Sequence, residues 1–374
     1  MRTQIKCLIA VISFLVLASS SEALNPLQII WQRSAHDGGT ASVEFSPDGL
    51  RLASGGSYIV QSGAQLFYGE NKFWSSGDGT LLAQTPQDYS IGGTNEITFA
   101  PDGGTLATAN GSIYCYPNGG CGSLLPAVAT YAIPNLSRIT RIDTVPVNST
   151  IDYSRDGQLL ATGEYAGDFR IRIRNAATLS VIRTLEGHSA GQNQSGTFSV
   201  RFSPDGSLLA SGGADGKVKI WRVSDGALLR TLQIGTEWSP NVFTVALSPD
   251  GNLIAAGTDA LRDVKVWRVA DGTLVRAFSF GDEIFGYGQS NLAWTPDGVY
   301  LAAGRTVYPT PLTIRFWNVV TGVLAQEVTD HTNRAIYSLA FGPAGQSFAY
   351  GASRDVVVAR TPMLLSSARA RTRK

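Results

Sequence analysis

The sequence predicts an all-β chain folded as a closed ring of seven four-stranded antiparallel blades, on three observations. The first lies within one stretch. Phe198, Val200 and Phe202 alternate with Ser199, Arg201 and Ser203, the period of two expected of a strand with one buried face. Ser203-Pro204-Asp205-Gly206 supplies a turn, Pro fixing φ at its second position and Gly free to take positive φ at its last. Leu208 to Ala210 makes a second strand and Gly212 to Gly216 reverses the chain. A third strand runs through Val218 and Ile220 to Trp221, and Ser224-Asp225-Gly226 leads into a fourth at Leu228 to Leu232. The second observation is repetition. The glycine closing the first turn recurs at Gly49, Gly103, Gly157, Gly206, Gly251, Gly298 and Gly345, at intervals of 54, 54, 49, 45, 47 and 47 residues. One meander cannot bury both its faces, so seven copies imply seven stacked blades. The third concerns the chain ends. The last copy has strands at Leu339–Phe341, Ser347–Tyr350 and Val356–Ala359 but no fourth, whereas an orphan strand, Leu27–Trp31, precedes the first copy. Pairing the two ends completes the seventh blade and leaves no sheet edge open between blades.

The repeats carry a shared grammar: Val-Glu-Phe-Ser-Pro-Asp-Gly at 43–49, Val-Arg-Phe-Ser-Pro-Asp-Gly at 200–206 and Val-Ala-Leu-Ser-Pro-Asp-Gly at 245–251, with Trp221 closing a third strand. Spacing and grammar resemble the WD-repeat family of β-propellers, over nearly the whole chain beyond residue 23. The resemblance implies a seven-bladed β-propeller of four-stranded antiparallel blades, closed by pairing of the N- and C-terminal segments, and a protein-interaction platform. It says little about function in detail, because one fold hosts many activities.

At the N-terminus, Arg2 and Lys6 precede an apolar run from Cys7 to Ala18, and Ser21-Glu22-Ala23 offers small residues where a signal peptidase reads. This predicts a signal peptide over 1–23 and an exported chain, secreted, periplasmic or on the cell surface. The apolar run is shorter than the roughly 20 residues needed to span a bilayer, and no membrane span is expected elsewhere. Residues 24–361 form the single propeller, and 362–374 a basic tail carrying Arg369, Arg371, Arg373 and Lys374. Removing 1–23 takes away Arg2, Lys6 and Glu22 and leaves 28 basic and 28 acidic side chains. A balance near zero argues against nucleic-acid binding, and the tail reads as a solvated terminus.

Two cysteines remain, Cys115 and Cys121, in Cys-Tyr-Pro-Asn-Gly-Gly-Cys. In an exported chain this spacing predicts a disulfide across a hairpin, with Cys115 falling near the place that Trp221 holds in blade four. Two thiols without a nearby His make a poor metal site, and no cofactor is called for. The histidines, His36, His188 and His331, precede the first-strand aromatics Phe45, Phe202 and Phe341 by 9, 14 and 10 residues. The family resemblance implies that such a His joins a Ser or Thr, an Asp and the Trp in a buried hydrogen-bonded chain. Blade four can supply His188, Ser211, Asp215 and Trp221; blade one has His36, Ser54 and Trp74 without a clear Asp; blade three has Thr162 and Asp168 but Arg174 where Trp belongs. With its histidines so assigned, the chain has no free base for a Ser-His-Asp or Cys-His arrangement, and the reading is non-catalytic.

The blades differ mainly at one end. Blade one carries about ten extra residues between its second and third strands, by comparison with blade four, and blade six four extra. The connections 132–149, 189–197, 236–241 and 281–290 are also long, and both kinds of loop emerge on the same face. Loops on a rigid scaffold carry binding, which makes that face the candidate site, with Tyr58, Phe67, Tyr68, Trp238, Phe285, Tyr287 and Tyr308 as its aromatic inventory. The expected ligand is a protein partner, with a glycan as the alternative, bound by a monomer. The competing readings are an enzyme using the central channel, with Asp143, Asp282 and Glu283 as loose candidates, and a structural envelope component. Asn110, Asn135, Asn148 and Asn193 head Asn-X-Ser/Thr sequons, which matter only in a host that glycosylates exported chains.

Overall fold

The computed structural model describes residues 27–362, save residue 63 and the segments 116–120, 145–146, 166–168, 190–195, 235–240, 259–262, 281–289, 306–311 and 331–335. The signal-peptide and tail expectations, His331 and Asp168 therefore lie outside the described residues.

Seven four-stranded antiparallel sheets form, each from strands consecutive in sequence except the last. Blade four shows the repeat: Thr197–Phe202, Leu208–Gly213, Lys217–Arg222 and Leu228–Gln233. The seventh blade joins Ile336–Phe341, Ser347–Ala352 and Asp355–Arg360 to the N-terminal strand Ile29–Ser34, whose Trp31 stands opposite Val358. Closure is therefore a strand pairing. Packing follows the same logic, because cores form between blades: Val218 and Ile220 of blade four meet Val245, Ile254 and Trp267 of blade five.

The first turns of blades one, three, four, five and six are built the same way, from a Ser or Thr hydroxyl and an Asp carboxylate, whereas blade two has Ala100 in place of the hydroxyl and blade seven has Gly342 and Ala344 in place of both. In blade four Ser203 Oγ donates to Asp205 Oδ1, whose carboxylate also accepts the Ser207 N–H at 3.0 Å, while Leu208 N–H donates to Ser203 Oγ at 2.9 Å. Gly206 completes the turn at φ 72°, a conformation that suits glycine. These turns also touch around the ring. A methyl built on Gly49 would come within 3.2 Å of Pro343 Cδ, and those on Gly103 and Gly251 within 3.6 and 3.4 Å of Pro47 and Pro204. Over Gly206 the contact is missing. Blade three has Arg155 in place of the proline, nothing lies within 4 Å of a Gly206 methyl, and a recess of about 350 Å³ opens between Arg155, Asp156 and Asp205. Arg155→Pro is accordingly expected to raise unfolding free energy by about 0.5–1 kcal/mol, measured by urea denaturation; a loss of stability would show that this turn differs from its six counterparts.

Blades one and two depart most from the repeat. The second and third strands of blade one, Arg51–Ser62 and Ala64–Ser75, run twelve residues each, and those of blade two, Thr105–Cys115 and Cys121–Ala132, run eleven and twelve. The extra residues in blade one do not form a loose loop. They pair strand to strand, prolonging the hairpin beyond the blade. In blade two this shifts the assignment of elements. The segment expected as a long connection, 132–149, contains the fourth strand, Ser137–Asp143, and Cys115 does not take the place of Trp221. Leu209 faces Trp221 across blade four, and the matching Leu106 faces Tyr131 in blade two. Cys115 instead pairs with Cys121 in backbone register at the far end of the hairpin. The spacing argument failed because residues inserted as a paired ribbon move every later landmark of that blade.

Candidate functional site

The structure brings His188, Ser211, Asp215 and Trp221 together in blade four. Trp221 Nε1–H donates to Ser211 Oγ at 3.0 Å, the hydroxyl meets His188 Nε2 at 2.8 Å, and His188 Nδ1 meets Asp215 Oδ1 at 2.7 Å. Burial lowers the His188 pKa, so the ring is neutral, donating from Nδ1 to the carboxylate and accepting the serine proton at Nε2. Burial pushes Asp215 the other way, but the hydrogen bond from His188, the charge of Lys219 and the Ser189 amide outweigh it and leave its pKa below the ordinary value. Chemically the order Ser-His-Asp matches a hydrolase triad. Here it is sealed, since Ser211 is wholly buried and its oxygen accepts from the indole, so the set ties strands together.

Blade one forms the same chain with a different acid. His36 Nε2 meets Ser54 Oγ at 2.9 Å, Trp74 Nε1–H donates to Ser54 Oγ at 2.9 Å, and His36 Nδ1 meets Glu70 Oε2 at 2.9 Å. Glu70 escaped sequence reasoning because it comes from the third strand of the prolonged hairpin, where it faces Gly56 in register, and not from a short turn. A usable signal existed: Ser54-Gly55-Gly56 repeats Ser211-Gly212-Gly213. In both, the imidazole lies over the last glycine, where a Cβ on Gly56 or Gly213 would come within 2.6 or 2.3 Å of the ring. Blade three has no such chain among the described residues; Arg174 donates from Nε to Thr162 Oγ1 at 3.2 Å and from Nη1 to the Leu179 carbonyl at 3.0 Å. Blade two uses Asn110, which accepts from Thr108 Oγ1 at 2.5 Å and donates to Thr94 Oγ1 at 2.9 Å. That sequon asparagine and Asn148 are fully buried, Asn135 is exposed, and Asn193 lies outside the described residues.

On the elaborated face the prolonged hairpin of blade one sets the geometry. Tyr58 pairs directly with Tyr68 across it, and both side chains turn inward, 7% and 9% exposed. They are therefore not exposed contact residues: strand pairing fixes the alternation, and their rings meet at 5.6 Å under the connection to blade two. Phe67 lies in the same strand, facing Ile59 in register; its side chain, and Trp238, Phe285, Tyr287 and Tyr308, lie outside the described residues. What the hairpin supports is Tyr89, 56% exposed, whose ring stands edge-on to Tyr68 at 5.2 Å and to Tyr58 at 6.0 Å. Its connection is pinned on both sides. Gly69 N–H donates to the Ile91 carbonyl at 3.1 Å, Arg141 Nη2 donates to the Ser90 carbonyl at 2.7 Å, and Arg138 pairs with Asp88. Sequence reasoning passed over Tyr89 because the connection 86–93 is short and unremarkable in composition.

Of the loose acidic candidates, Asp143 is an exposed partner of Arg141, with Arg141 Nε donating to its Oδ1 at 2.7 Å; Asp282 and Glu283 lie outside the described residues. Among the described residues no three His, Cys, Asp or Glu side chains converge as a metal site, and no helix is long and apolar enough to cross a membrane.

Comparison with known proteins agrees with the architecture. Residues 179–222 and 226–268 match the family model of the WD domain, G-beta repeat. The chain is 24% identical over 301 residues to the WD repeat and HMG-box DNA-binding protein 1 of Xenopus laevis, across 79% of its own length and 24% of that protein's. The Mus musculus counterpart gives 25% identity over the same shares. The small ribosomal subunit protein RACK1y of Oryza sativa subsp. japonica is 37% identical over 68 residues, 18% of this chain and 19% of that one. The chain thus spans about a quarter of the length of the first two relatives.

Proposed function

We propose that this chain, a seven-bladed β-propeller carrying WD repeats and homologous to WD-repeat proteins, is an exported, non-catalytic scaffold that binds a protein partner through its elaborated face. The observation that carries the reading is Tyr89: an exposed aromatic held by an aromatic base and a pinned connection, with Arg138 and Arg141 on the adjoining strand. A rigid tyrosine beside arginine is the composition of an interface hot spot, because large contact area is gained at little cost in side-chain entropy. The sealed Ser-His-Asp set supports a scaffold in place of a hydrolase. No nucleic-acid ligand forms part of the proposal, since what the relatives' names say of DNA belongs to proteins that this chain matches over a quarter of their length.

Cross-linking capture from the native extracellular fraction tests it, with wild-type chain and Tyr89→Ala compared. The expected result is a partner held by the wild type and bound at least tenfold more weakly by the variant, about 2 kcal/mol, at unchanged melting temperature. Equal capture by both would sink the proposed anchor. Export predicts that the recovered chain begins at Leu24, which N-terminal sequencing reads directly, and that Cys115 and Cys121 give no free thiol before reduction.

A further inference from the structure

Four charged side chains gather where the first strands of blades one to four line the central channel: Glu44, Glu96, Asp152 and Arg201. The innermost strand of a blade is a sheet edge, so its channel-facing amides need partners from outside the sheet. The acids supply them from one blade to the next. Phe99 N–H donates to Glu44 Oε2 at 3.1 Å, Ile151 N–H to Glu96 Oε2 at 2.9 Å, and Phe202 N–H to Asp152 Oδ2 at 2.7 Å. Arg201 donates to Glu96 Oε1, and Thr150 Oγ1 donates to Glu96 Oε2 at 2.5 Å.

Arg201 thus forms an ion pair with Glu96 and acts on Glu44 and Asp152 only through its charge. The matching positions elsewhere are Thr98 in blade two and Ala246, Ala293 and Ala340 in blades five to seven, so those strands bring no further charge to the cluster at that level. Glu44 and Asp152 are half-buried, and a carboxylate in that setting is costly to ionise. Burial, with the charge of Asp152 second, raises Glu44 to about 8, and burial raises Asp152 to about 7 against the pull of Arg201.

We propose that this cluster is a pH-sensitive clamp on the ring, its carboxyl groups bridging the first strands of blades one to four in succession and the three seams between those blades loosening as pH rises. The sign follows from linkage. Both folded-state values stand above the ordinary 4.5 and 3.8, so the stabilisation is complete below those ordinary values and is lost as pH rises through 7 and 8. His36 and His188 act in the opposite direction, because burial holds them below 6.5 and their contribution is lost as pH falls past it. The ring is therefore most stable on the acid side of neutrality.

Equilibrium unfolding of the full chain between pH 6.5 and 8.5 tests the clamp. One retained proton corresponds to about a tenfold change in the folding constant per pH unit, and a fall of that size is expected for the wild type. In the double variant Glu44→Gln, Asp152→Asn the fall should vanish, since the amide oxygens still accept the Phe99 and Phe202 N–H groups. A flat wild-type profile, or a slope that persists in the double variant, overturns the proposal. Should the double variant fail to fold, proton release on unfolding the wild type at pH 7 decides: about one proton supports the clamp, and none refutes it.

Discussion

Trp31→Ala is expected to lower the unfolding free energy by about 4 kcal/mol and to do so although Trp31 belongs to no complete repeat of its own. The indole is buried among Val43, Phe45, Leu52, Trp74, Val356 and Val358, contributions from blades one and seven together. Its Nε1–H donates to the Ser76 carbonyl at 2.8 Å, and its ring lies against Gly79, where an added Cβ would come within 2.6 Å. Removing it opens a cavity at the closure seam and takes the donor from the half-buried Ser76 carbonyl. Against a typical total of 5–15 kcal/mol, that is a large share. Deletion of 24–33, which removes most of the strand paired with Asp355–Arg360, should go further and prevent cooperative folding. Urea unfolding followed by tryptophan fluorescence checks the point variant and differential scanning calorimetry the deletion. An unchanged melting temperature for the deletion would mean that the ring does not depend on this strand for closure.

The second large effect is predicted for Ser211→Ala, at about 3 kcal/mol. Ser211 is the hub at which the Trp221 indole donates and from which His188 accepts. Alanine removes both bonds and leaves a buried N–H and a buried ring nitrogen unsatisfied, which costs more than a missing surface bond. Ser54→Ala should behave alike in blade one, where Ser54 joins Trp74 and His36. The two losses should add, the sites lying in different blades. Thermal denaturation of the single and double variants measures this; a loss below about 1 kcal/mol for Ser211→Ala would show that the network is decorative.

Much of this was legible because it is written locally. The Pro-Asp-Gly turns, the alternation of Phe198, Val200 and Phe202, and the orphan strand before Gly39 each depend on neighbours a few residues apart, and they suffice for seven blades and for closure. The blade-four set could be named from the sequence because its members sit at the spacings of an unmodified repeat, within His188 to Trp221. Glu70 could not, since a prolonged hairpin carried it away from the turn where an acid was expected. The inward direction of Tyr58 and Tyr68 was hidden for the same reason: an insertion reads as a loop until its two halves are seen to pair.

The repeat, its number and the joining of its ends are encoded locally, because turn chemistry and a period of two act over distances shorter than one blade. Which side chains meet between blades is set by packing at long range. Glu44 meets the Phe99 amide and Asp152 the Phe202 amide across 55 and 50 residues of chain. Such contacts follow from the register of one sheet against the next, and no local pattern encodes that register.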